Sequence, residues 1–155
     1  MVVENFIAFI VSALLSITGV SANAEGSVIY VPSLNQRFIV ALPCVNWAGM
    51  FLAAFMYTFV TWVYFSFKGR SLSWRTYLAL GFVGSIVFFF VNILRIFTEI
   101  YLLAKVYSSV YTYYLFNWQS FEEQVGISLM FATLLVLSFS SWAILKKWMD
   151  RRMFY

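Results

Sequence analysis

The chain has no histidine, one cysteine, two prolines and only 10% charged residues among its 155. Each shortage excludes something. Without histidine, the commonest metal ligand and the commonest general base are missing, so a zinc or haem site built from this chain alone is not expected and no cofactor is assigned. One cysteine rules out an intrachain disulfide. Soluble domains carry roughly 25% charged residues, so a chain this poor in charge cannot cover its own surface in water. Apolar residues fill the gap: 63% are hydrophobic and 22% aromatic. The composition is that of an integral membrane protein, and the length suits a single domain, residues 1–155.

Four segments, residues 5–22, 45–67, 76–94 and 124–145, are apolar over about 18–23 residues each, enough to cross a hydrocarbon core of roughly 30 Å. The expected fold is all-α, a polytopic bundle of four transmembrane helices. Basic residues set its expected orientation. Lys68, Arg70 and Arg75 lie between the second and third spans, and Lys146, Lys147, Arg151 and Arg152 lie after the fourth. By the positive-inside rule both groups face the cytoplasm. Both termini are then cytoplasmic in a multi-pass plasma-membrane protein. The outer connections hold only Arg37 and Lys105, apart from Arg95 at a span boundary. Residues 7–20 followed by Ser21-Ala22-Asn23-Ala24 resemble a signal peptide, but such peptides usually open with positive charge. The only early charge here is Glu4, so a retained first span is expected.

The first outer connection holds two β-like runs, residues 27–31 and 37–40, around Pro32-Ser33-Leu34-Asn35. That pattern suits a small hairpin or irregular chain laid over the bundle. The second, residues 96–121, contains Glu99, Lys105, Tyr101, Tyr107, Tyr111, Tyr113 and Tyr114, with Trp118 close by. Tyrosine and tryptophan favour the headgroup level. A helix that continues past the membrane surface or lies along it, forming an outer aromatic cap, is expected.

Arg95 closes an apolar run that begins at Tyr77. An ionisable residue at membrane depth marks a functional site by default. Asn92, three residues before, and Glu99, four after, share its helical face. A guanidinium fixed by an amide and a carboxylate can clamp a substrate carboxylate or a developing oxyanion. The alternative is an interfacial ion pair, with the arginine snorkelling to the headgroups. Cys44 follows Pro43 at the head of the second span, on the same outer face as Arg95. A nearby cation would favour its nucleophilic thiolate, although a free cysteine more often packs as a small hydrophobe.

Taken in order, the chain presents an outer β-like segment, Cys44 heading a span and a basic cytoplasmic turn. A span closing on Asn92-Ile93-Leu94-Arg95-Ile96 follows, then an outer loop and Phe121-Glu122-Glu123-Gln124-Val125-Gly126. Over roughly residues 26–145 this resembles the exosortase/archaeosortase family of polytopic membrane proteases and transpeptidases. The resemblance implies cleavage of C-terminal sorting signals of exported proteins outside the membrane, with transfer to an acceptor that is often a lipid. It implies Cys44 as nucleophile and Arg95 as the assisting arginine, with Asn92 supporting it; Asn92 and Glu99 are expected to bind substrate on the separate ground that they share the helical face of Arg95. The sequence departs from the family at two places. The family's histidine, four residues before a glycine, is Glu122 here, and its Cys-Ser-Gly or Cys-Thr-Gly is Cys44-Val45-Asn46. Glu122 could shuttle protons as a third catalytic residue. It could instead bridge to Arg95 and keep the pocket's shape without turnover, or offset the dipole at the start of the last helix.

Two functions follow from the resemblance: a membrane cysteine protease/transpeptidase, or a catalytically degenerate member acting as a non-enzymatic subunit or scaffold of a membrane complex. Expected partners are membrane lipids and either the C-terminal tails of exported proteins or the subunits of such a complex. Nucleic acid is not expected. A channel or transporter is disfavoured, because no pair of broken spans is visible.

Overall fold

The computed structural model describes residues 2–41, 47–69, 72–106 and 118–152. Four α-helices and one small sheet lie among them: α1 (Val2–Ile17), β1 (Asn23–Glu25), β2 (Val28–Val31), β3 (Gln36–Ile39), α2 (Trp47–Phe67), α3 (Trp74–Lys105) and α4 (Trp118–Arg152). Three helical stretches are long and apolar enough to cross a membrane: all of α2, all of α3, and Ser120–Lys147 of α4. The 21 residues of α2 rise about 31 Å and the 16 of α1 about 24 Å, so α1 is the short one. Phe51, Leu52, Phe55, Phe82, Phe131 and Phe139 are each more than half exposed along these helices. That disposition suits lipid as the surrounding solvent.

The chain forms two compact units, Met1–Trp47 with Phe89–Leu129, and Ala48–Phe88 with Met130–Tyr155. In the first, α1 buries Ile7, Ala8, Val11 and Leu15, one stripe at helical spacing. They pack with Ile29 and Val31 of β2, with Val40, and with Ile93, Ile96 and Ile100 of α3. The sheet is antiparallel in the order β1-β2-β3. The expected hairpin is present: a 3-10 turn at Pro32–Leu34 and a left-handed Asn35 (φ 50°) reverse the chain between β2 and β3. β1 adds a third strand that was not expected, since Asn23-Ala24-Glu25 carries no branched residue to signal it.

The first helix stops before residue 22, the expected limit of the first span, for a local reason. Gly19 adopts φ 79°, its N–H donates to the Ser16 carbonyl and the Val20 N–H donates to that of Leu15. This is a Schellman C-cap, closed by the buried pair Leu15 and Val20. The third helix continues beyond the expected span, in keeping with the first of the two expectations for the segment that follows it. It runs eleven residues past 94 to Lys105, so Arg95 lies inside a helix rather than at its end. The expected cap residues Tyr107, Tyr111, Tyr113 and Tyr114 lie outside the described residues.

In the second unit α2 buries Met50, Ala54, Tyr57, Thr61 and Phe65, again one stripe. Gly84 of α3 meets it so closely that a Cβ there would stand 3.0 Å from Tyr57 Cδ1, and one on Gly81 would stand 3.4 Å from Thr58 Oγ1. Small residues that let backbones approach are how helices associate where lipid removes the hydrophobic drive between them. On α4, the Ser141 hydroxyl shares a hydrogen bond with that of Tyr57, and Trp142 stacks on Tyr64 at 4.4 Å between ring centroids.

Candidate functional site

The described residues bring one cation and two carboxylates together in the first unit. Arg95 and Glu99 are one turn apart on α3, and Arg95 Nε donates to Glu99 Oε1 at 2.7 Å. Arg95 Nη2 donates to Glu122 Oε1, a close ion pair that joins α3 to the first turns of α4. The setting is largely dry. The Glu99 side chain is 4% exposed, Arg95 14% and Glu122 30%. Asn92, one turn before Arg95, is buried as well. With all three groups ionised the cluster carries one excess negative charge.

Gly126 explains how the guanidinium reaches this place. It stands one helical turn after Glu122 on the same face of α4. A Cβ built on it would lie 3.2 Å from both Cδ and Nε of Arg95 and 3.6 Å from Cζ. The arginine therefore lies against bare α4 backbone, its fork directed back to Glu122. In the sequence Gly126 marks only the position four residues after Glu122. Its role as the seat of Arg95 is not evident from the sequence, where the one signal is a carboxylate four residues before a glycine.

Of the five candidate residues, Arg95, Glu99 and Glu122 are in mutual contact through the arginine, and Asn92 is buried on the same helix. Cys44 lies outside the described residues. Among the described residues, no group of three or more His, Cys, Asp or Glu side chains is placed to hold a metal ion.

Chemically, the cluster is a neutralised guanidinium. Charge-assisted pairs to arginine are the strong class of hydrogen bond, and the fork geometry makes them directional. An incoming carboxylate or oxyanion would have to displace a carboxylate from Nε or Nη2, or bind beside an excess negative charge. Comparison of the chain with protein-family models, with curated proteins and with solved structures finds no match.

Proposed function

We propose that this protein is a four-pass, exosortase/archaeosortase-like membrane protein that has exchanged turnover for a carboxylate-locked arginine, and that it works as a non-enzymatic subunit of a membrane complex. The observation that carries this reading is the engagement of Arg95 by Glu99 and Glu122 together. A general base has to reach the proton it takes. Glu122, standing where the resemblance puts a histidine, has an oxygen directed at Arg95 instead. An oxyanion donor has to point at the place where charge develops, and Nε and Nη2 of Arg95 point at carboxylates. In this reading α1 is the first of four spans, and the basic groups after α2 and α4 face the cytoplasm. Arg95 then lies towards the outer side. Partners are other integral membrane subunits or the C-terminal tails of exported proteins.

The test is affinity purification from native membranes. A partner in stoichiometric amount, equally recovered with Cys44→Ala, is the expected result. A thioester adduct or processed substrate that appears with the natural sequence and vanishes with Cys44→Ala would replace this reading with an active cysteine transpeptidase.

A further inference from the structure

Where α2 ends, the second unit holds a cavity of about 200 Å3 lined by Tyr64, Phe65, Lys68 and Lys146. Lys68 directly follows the last residue of α2, and Lys146 is the penultimate residue of the membrane-crossing stretch of α4. Two spans thus finish at one level, each with an ammonium group at the edge of its apolar stretch. The walls are aromatic and firmly held. Phe65 is 1% exposed and meets Tyr64 edge-on at 5.1 Å, while Tyr64 stacks on Trp142 with 6° between ring planes. Aromatic rings with a polar tip favour the headgroup level of a bilayer.

Among the described residues the charges lining this cavity are unbalanced. Neither Lys68 nor Lys146 has a carboxylate partner among the described residues, and the described residues that line the cavity include no carboxylate. Two exposed ammonium groups lining one concavity give an anion placed between them attraction from both sides. Lysine ammonium groups bind phosphate as point charges, and basic pockets between transmembrane helices near the membrane surface take phospholipid headgroups.

We infer that the Lys68–Lys146 cavity is a binding site for a phosphate anion, and that its occupant is the headgroup of an anionic phospholipid. Its position selects the lipid over a soluble phosphate compound. The acyl chains would run beside the apolar exteriors of α2 and α4, where Trp62 and Ile144 are exposed. This inference does not rest on the reading proposed for Arg95. It needs only that α2 and α4 cross the membrane.

Native mass spectrometry of the purified full chain in detergent tests it, with phosphatidylglycerol and phosphatidylcholine of identical acyl chains as probes. The natural sequence is expected to retain phosphatidylglycerol in preference to phosphatidylcholine. The Lys68→Met/Lys146→Met pair is expected to weaken that retention roughly thirtyfold, since each lysine near an anionic headgroup contributes about fivefold. Arg75→Met/Lys147→Met removes the same charge outside the lining of the cavity and should weaken retention much less. Should the methionine pair fail to fold, Lys68→Arg/Lys146→Arg keeps the charge and should keep the lipid. Equal retention of the two lipids by the natural sequence would overturn the site, as would equal loss in the two charge-removing pairs. Displacement of bound phosphatidylglycerol by millimolar glycerol phosphate would overturn the lipid assignment in favour of a soluble phosphate ligand.

Discussion

Arg95→Met is expected to lower the stability of the folded protein by about 3–5 kcal/mol, the range for removing one partner of a buried ion pair. The loss is large because of what the substitution leaves behind. Glu99 is 4% exposed and would keep a buried carboxylate with its 2.7 Å partner gone. Glu122 would face it as a second carboxylate with no cation between them. Arg95→Lys should recover only part of the loss, because a lysine is a point charge and cannot hold Glu99 and Glu122 with the two arms of a planar fork. Glu122→Gln should cost less, about 1–3 kcal/mol, since its side chain is 30% exposed and the amide oxygen can still accept from Nη2. Unfolding followed by circular dichroism in mixed micelles of rising sodium dodecyl sulfate reads all three. A change below about 1 kcal/mol for Arg95→Met is what a snorkelling, solvent-screened arginine would give.

Gly126→Val is expected to destabilise by about 1–3 kcal/mol, the usual cost of overpacking, and to do so by displacing Arg95. Two effects compete at this position. Replacing a mid-helix glycine relieves a propensity penalty of about 0.8–1.0 kcal/mol relative to alanine, and valine keeps part of that gain. Against it, the new Cβ would lie 3.2 Å from Arg95 Cδ and Nε, and the two γ-methyls of valine add bulk beside the guanidinium. Sterics win for valine. For Gly126→Ala the two effects nearly cancel, and a net change within about 1 kcal/mol is expected. The same micelle titration distinguishes them. A neutral or stabilising valine would show that Arg95 does not rest on this backbone.

Much of the helical architecture could be read from hydropathy, because three stretches are apolar over a full membrane thickness. Element ends were less legible, for identifiable reasons. Gly19 closes α1 although Val20 and Ala22 beyond it are apolar, since backbone conformation and capping bonds, not hydropathy, end a helix. The continuation of α3 past residue 94 matches one of the two expectations for that segment, but the burial of Glu99 beside Arg95 does not follow from hydropathy, which counts a carboxylate as a surface residue. The hairpin was legible because Pro32 and Asn35 have turn chemistry. β1 was not, because its three residues gain their strand character from pairing with β2.

The candidate site divides along the same line. Asn92, Arg95 and Glu99 share one helix, so the spacing of the residues was enough to group them. Glu122 lies 27 positions away from Arg95, and nothing local in either segment joins them. An ion pair to Arg95 is one of the three expectations for Glu122, and the structure has that pair. Gly126 was invisible as a functional position, because its contribution is the absence of a side chain where another helix needs room.

The most direct test of the central claim, that Arg95 and Glu122 act as a lock between α3 and α4, is a double-mutant cycle on Arg95→Met and Glu122→Gln. The lock predicts a coupling energy of about 1–3 kcal/mol, with the double variant less destabilised than the sum of the singles. Additivity within about 0.5 kcal/mol would contradict it, because two side chains that hold each other cannot be removed independently.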